Sequence, residues 1–283
     1  MMKLKNLFLS LMALLLVVSA AAQNIRSYES HGGIWFEKFE TDTNLFIYSS
    51  DNTIYIPHQQ RTFTYSYQKN SVQYLFQSTG EKNWKLVPIN EATDSAAVTI
   101  IMQIIADSAT LGYGSAHSGK TGQSILHRSF YNKFSKRLPV QEYTGLVENE
   151  RNIWFHPPRT FLFEMLELNP FPYIKFPIKK NRVWRWKLTI GSQWGDARWK
   201  EWEGAIVNHY KYRITNINRP VTTALGTMNC TVVESRAKSR IGTTQATFYF
   251  EEKLGFVKYE YVNIDGSSLT IELVEINVNQ PTR

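Results

Sequence analysis

The last hundred residues alternate. In RVWRWKLTI, Trp184, Trp186, Leu188 and Ile190 share one parity, while Arg185, Lys187 and Thr189 share the other. In Ala205–Ile217, Ile206, Tyr210, Tyr212 and Ile214 fall opposite His209, Lys211 and Arg213. A period of two sorts side chains onto the two faces of a strand, whereas a helix would scatter both sets around its circumference. Further β-rich segments follow at Gly226–Ser235, Thr243–Glu251, Phe256–Asn263 and Leu269–Asn277, broken by Gly242, Gly255 and Asp265–Gly266. Asp-Gly between apolar runs is a hairpin signal. Short connections make sequential strands antiparallel neighbours, so this region reads as a meander.

The first half carries the same signature more loosely. Ile34–Phe39, Leu45–Ser49 and Trp84–Ile89 read as strands, and Thr53–Ile56 as another after an Asp51–Asn52 turn. TFTYSYQ puts Phe63, Tyr65 and Tyr67 on one face, with a Lys69–Asn70 hairpin tip before VQYLFQ. Ala97–Ala106 is rich in Ile and Val, which favours a buried strand. Gly112–Gly122 reads as a loop and Gln123–Lys136 as a short helix. From Leu138 to Pro177 proline is dense, and proline lacks the amide proton that helix and central strand need. That stretch reads as an irregular connection crossing over the sheet, with a short helix near Thr160–Leu168. The expected fold is all-β or β-dominated: a curved antiparallel meander sheet or partly open barrel, with one or two short helices and a Pro-rich crossing loop.

The sole cysteine, Cys230, excludes an intrachain disulfide, so the fold must rest on its core, and 14% aromatic residues supply one. Cys230 shares the apolar parity of Met228 and Val232, which makes it an inert buried thiol. The N-terminus supplies the address. Lys3 and Lys5 precede an apolar run from Leu7 to Val18, and Ala20 and Ala22 set up cleavage before Gln23. The run is too short for a spanning helix. The expected organisation is a signal peptide over 1–22 and one β-rich domain over 23–283, or two related sheet halves meeting near 140–180. Removing residues 1–22 from 283 leaves 261, and the loss of both lysines lowers the net charge from +8 to +6. The expected location is exported: periplasm, outer surface or extracellular.

Three constellations bear on chemistry. Gly114–Thr121, GSAHSGKT, satisfies the Walker pattern through Gly114, Gly119, Lys120 and Thr121. Its setting is wrong: a phosphate loop leaves a strand directly and enters a long helix, whereas DSATLGY intervenes and the downstream chain is β. We therefore reject phosphate binding. ENERNIWFHPPR gathers Glu148, Glu150, His156 and Arg159 beside Trp154, on a backbone stiffened by two prolines. Those four are the catalytic candidates, since a held imidazole beside carboxylates can act as general base or acid. The same groups could equally cap the sheet. Trp154, Trp194, Trp199 and Trp202 are the ligand-binding candidates. The last three lie in a Gly-containing segment where exposed rings could stack on a glycan.

His31, His58, His117, His127 and His209 are dispersed, so no metal site is read, and no cofactor. Basic residues alternate with acids and no stripe-forming basic cluster is expected, which argues against nucleic acid. The expected partners are an envelope or extracellular glycan, an apolar ligand or a protein.

The AAAQ leader end, the E-N-x-x-x-x-W-x-H-P-P-R segment, ELNPFPYIKFP and YFEEKLGFVKYEYVNIDGSSLTIEL together resemble a family of exported Bacteroidetes-type β-sheet proteins, a domain of unknown function. The resemblance covers residues 145–278. It implies an envelope or surface location and a β-dominated domain, and it transfers no catalytic residues. The function expected is a non-catalytic binding or structural protein of the envelope. The alternative is a glycan-processing or other hydrolase using the 148–159 loop.

Overall fold

The structure is a computed structural model that describes residues 27–31, 33–38, 52–57, 59–79, 83–105 and 123–278. The leader, Leu45–Ser49, His58, His117 and the Walker-like Gly114, Gly119, Lys120 and Thr121 lie outside the described residues, as does the side chain of His31.

Sixteen strands are described in chain order: β1 Ser27–His31, β2 Ile34–Lys38, β3 Gln59–Lys69, β4 Val72–Ser78, β5 Trp84–Pro88, β6 Thr99–Ile105, β7 Ser124–Tyr131, β8 Arg137–Glu148, β9 Asn152–Phe155, β10 Tyr173–Lys175, β11 Val183–Ile190, β12 Ile206–Thr223, β13 Gly226–Ser239, β14 Gly242–Glu251, β15 Gly255–Val262 and β16 Ser268–Val278. β1 and β2 form a separate hairpin. The remaining strands make one antiparallel sheet in the order β10-β9-β8-β7-β6-β3-β16-β15-β14-β13-β12-β11, with β4 and β5 branching from β3. β3 joins the two runs of the meander by pairing with β16. β10 and β11 are the two ends and do not pair, so the sheet is curved and open. Aromatic side chains bridge the seam: Tyr173 meets Trp184 and Tyr212 at ring separations of 5.6 and 5.4 Å. The β1–β2 hairpin is tied beside that seam, with the Tyr173 hydroxyl donating to Gly33 O and the Trp35 amide donating to Asn152 Oδ1.

Alternation fixes which face is inside. Phe63, Tyr65 and Tyr67 of β3 are buried, as are Trp184, Trp186 and Ile190 of β11 and Tyr210, Tyr212 and Ile214 of β12. Turns carry the residues their geometry demands. The tip after β3 is Asn70–Ser71, one residue beyond the expected one, with both at positive φ. Gly255 sits at φ +76°, where a Cβ would come 2.5 Å from the Tyr55 hydroxyl, so left-handed backbone and close approach both require glycine.

Three expectations are corrected. Gln123–Lys136 is not a helix: Ser124–Tyr131 is β7, between β6 and β8, because two strand partners outweigh a weak helical period. Thr53–Ile56 is a bend, not a strand. Within the expected irregular connection, residues 138–148 belong to β8, 152–155 are β9 and 173–175 are β10; Pro139 is tolerated at the register shift between the Tyr131–Arg137 and Ser129–Gln141 pairs. The rest, from His156 to Pro172, lies inside the curve of the sheet. Its 3-10 helix, Phe161–Leu168, is buried on nearly every side, at Phe161, Leu162, Phe163, Met165, Leu166, Glu167 and Leu168. Phe163 packs on Tyr65, Phe76 and Phe130, and Leu168 O accepts from Asn208 Nδ2 and Thr244 Oγ1. An all-round apolar helix needs such enclosure.

Candidate functional site

The catalytic candidates fall into two places. Glu148, at the end of β8, turns its carboxylate onto the 53–55 bend. Oε1 accepts from Thr53 N at 2.6 Å, Thr53 Oγ1 at 2.9 Å and Ile54 N at 2.8 Å, and Oε2 accepts from Tyr55 N at 2.8 Å. Glu150 is exposed in the next turn. Both line a surface depression of about 700 Å³ with Thr53, Ile153 and Phe176. The Asn149 and Asn152 side chains in the same turn hold Trp35 O. The Arg151 guanidinium covers Tyr28 at 4.7 Å and Trp35 at 5.4 Å. This end of ENERNIWFHPPR therefore anchors two neighbouring segments.

His156 and Arg159 lie elsewhere, on the segment inside the sheet. The imidazole packs 5.0 Å from the rings of both Trp154 and Phe171. Its Nδ1 is buried without a hydrogen-bond partner among the described residues. Burial, reinforced by the Arg159 and Arg128 cations, holds its pKa down to about 3, so the ring is neutral. Arg159 stacks on Trp194 at 4.4 Å and places Nε 3.0 Å from Glu167 Oε1, close enough for charge pairing but off the line of a hydrogen bond. Burial pushes the Glu167 carboxyl up to about 7, against the lowering effect of Arg159.

Two further charged residues, missed in the sequence, organise this loop. Arg128 of β7 and Glu142 of β8 form an ion pair at 2.7 Å, with side-chain exposures of 2% and 5%. Arg128 also donates to Thr144 Oγ1, Pro157 O and His156 O. Glu142 Oε2 accepts from Arg159 N and Thr160 Oγ1, both at 2.8 Å. The His156 and Pro157 carbonyls and the Arg159 amide lie outside the strand ladders, and the ion pair supplies their partners. One sequence signal was present: Glu142 shares the parity of Leu138, Val140 and Leu146, the buried face of β8. The void beside Arg128, bounded by Phe63, Phe155, Tyr259 and Ile271, is about 20 Å³, room for one water.

The tryptophan expectation is also corrected. Trp154 is core at 5% exposure, against Phe171 and Trp186. Of the three rings expected to stand exposed, Trp199 is buried at 5%, and Trp194 and Trp202 are partly buried against the core. Trp199 donates to Trp194 O at 3.2 Å and stacks on Trp84. Arg198, held by both Asp196 oxygens, covers Trp84 at 3.6 Å. Local hydrogen bonds and stacking fold the Gly-containing segment down over the end of the sheet. Cys230 is buried, and burial raises its thiol to about 11. Among the described residues no group of His, Cys, Asp or Glu could hold a metal ion, and no helix is long and apolar enough to cross a membrane.

No family model matches the chain, and no curated protein matches it. Solved structures similar to it include a Bacteroides fragilis protein inferred to be exported, with a YmcC-like fold. That likeness is 9% identity over 80% of this chain and 100% of the other, with a TM-score of 0.40. A second is a Parabacteroides distasonis protein inferred to be a lipoprotein, at 12% identity over 80% of this chain and 99% of the other, with a TM-score of 0.39.

Proposed function

We propose that the chain is an exported, non-catalytic protein of the cell envelope that binds or holds another envelope molecule. The observation that carries the reading is the occupation of its candidate catalytic groups. The Glu148 carboxylate is filled by four donors from one bend, and the neutral His156 ring is packed between two aromatic rings. A general base needs a lone pair within hydrogen-bond reach of substrate. Export rests on the leader, with the exported form beginning at Gln23 in the periplasm, at the outer surface or outside the cell. The β3–β16 pairing supports reading 23–283 as a single β-rich domain. The family of exported Bacteroidetes-type proteins is the frame that the leader and the ENERNIWFHPPR segment suggest.

A hydrolase remains the second reading, favoured by one feature: exposed Glu150 beside Glu148 in the 700 Å³ depression. Glu150→Gln separates the two, because it leaves the buried contacts of Glu148 intact. The expected result is no turnover of peptidoglycan or model glycosides by wild type. Turnover that falls a hundredfold in Glu150→Gln would establish the hydrolase. N-terminal sequencing of the exported protein tests the leader, and a start other than Gln23 would correct it.

A further inference from the structure

The outer face of β11, β12 and β13 collects cations that are distant in sequence. Register places Arg185 opposite Lys211, and Lys211 opposite Arg236. The next row is Lys187, His209 and Lys238. Arg213 adds a further cation, opposite Glu234. All of these side chains are exposed. Glu234 is the one carboxylate among them, and none of the cations makes a salt bridge among the described residues. Like charges directly opposite on a sheet repel and destabilise it. A sheet that keeps three in a row gains stability when an external anion lies across them.

The same face continues into a shallow depression of about 610 Å³ that crosses from β12 to β16. Lys211, Arg213 and Arg236 line its cationic end, with Glu234 opposite Arg213. Gln245, Thr247, Ser268 and Thr270 line the remainder, together with Glu260 and the exposed Val262. Its second acid, Glu260, is already engaged by Lys258 at 2.9 Å and by the Tyr249 hydroxyl at 2.7 Å. Strands stand about 4.8 Å apart, so the trough runs roughly 19 Å across the sheet. Its floor belongs to paired strands, so no free backbone edge invites an added peptide strand. No exposed aromatic lies along it, so it lacks the stacking platform that single-stranded nucleic acids use. Cations at one end, then amide and hydroxyl groups, match an elongated molecule that carries anions and many hydroxyls.

We propose that this trough is a binding site for an acidic oligosaccharide, with its carboxylate or sulfate groups on Lys211 and Arg236 and its hydroxyls on Gln245, Thr247, Ser268 and Thr270. The proposal deepens the reading of the chain as a binder, and the two fail separately. Turnover of a substrate would overturn that reading and leave the titration untouched, whereas a flat titration overturns this one alone.

The test is calorimetric titration of the full chain with hexagalacturonic acid and with a heparin hexasaccharide, against maltohexaose and inorganic polyphosphate. At least one acidic hexasaccharide binds, maltohexaose does not, and affinity falls at higher salt. Lys211→Glu/Arg236→Glu lowers the affinity at least tenfold. Gln245→Ala/Thr270→Ala lowers it about threefold, while Lys85→Glu/Lys136→Glu, with the same change in net charge on another surface, stays within twofold. Circular dichroism confirms that each variant is folded. The proposal is overturned if neither acidic hexasaccharide binds or if the Lys85/Lys136 control loses as much affinity. It is also overturned if polyphosphate binds as tightly and the floor variant has no effect, which would leave an unselective cationic patch.

Discussion

Charge is handled in opposite ways inside and outside this sheet. Beneath the proline-rich segment, Arg128 is matched by Glu142, which also takes the Arg159 amide and the Thr160 hydroxyl. On the outer face of β11–β13, Arg185, Lys211 and Arg236 stand in a row with no carboxylate partner among the described residues. Desolvation explains the difference. A buried charge without a partner costs several kcal/mol, so an interior admits charges only in satisfied sets. Water screens surface charges, so an unmatched row is tolerated there at small cost. Buried charge in this protein therefore marks architecture, whereas the unmatched surface row is free to meet the anion proposed above.

Deleting the buried partner should break the comparison most severely. Glu142→Ala strands Arg128 in the core and frees the loop amide of Arg159, and should cost roughly 3–5 kcal/mol in urea unfolding. A loss under 1 kcal/mol would show that the interior charges are not holding the loop.

The pH dependence comes next. Glu167, raised to about 7, keeps a proton in the folded chain that the unfolded chain releases above 4.5. Its contribution is present below 4.5 and is lost as pH rises through 7. His156, lowered to about 3, refuses a proton that the unfolded chain takes below 6.5. Its contribution is present above 6.5 and is lost as pH falls through 3. Between 4.5 and 6.5 the two slopes oppose each other. His156→Leu should therefore leave stability falling with rising pH across that window, and Glu167→Gln should leave it rising, each by up to about 1.4 kcal/mol per pH unit. Urea midpoints taken at both ends of the window decide it, and unchanged slopes in both variants would refute the two shifts.

The smallest effect has the opposite sign. Lys211→Glu places a carboxylate between Arg185 and Arg236 and should raise stability by about 0.2–1 kcal/mol. A loss on thermal unfolding would mean that the row is not repulsive. Removing a charge inside destabilises, and reversing one outside stabilises.

Much of the sheet was legible. The parity of Trp184, Trp186, Tyr210 and Tyr212 assigned their faces, and Asp265–Gly266 placed its hairpin, because a strand's side-chain period is local. β7 and β8 were misread, since proline density and a weak helical period are local signals, whereas their pairing partners are set by the fold. The candidate site was legible only in part. ENERNIWFHPPR stood out as unusual, yet the bend held by Glu148 is 93 to 95 residues away in the chain. Arg128, which closes the loop over His156, is 28 residues before it.

By itself the sequence determined the β class, the inward faces and the isolation of Cys230. Each follows from composition or from the spacing of near neighbours. Only the tertiary structure decided that the proline-rich segment lies inside the sheet, that the Arg128–Glu142 pair holds it there, and that dispersed cations form a row outside. Read along the chain, Arg185, Lys211 and Arg236 are separated by more than twenty residues and mixed with acids. Antiparallel register sets them on adjacent strands, about 4.8 Å apart. Hydrophobic alternation chooses the face of each strand, but register, fixed by pairing across the whole sheet, chooses the neighbours.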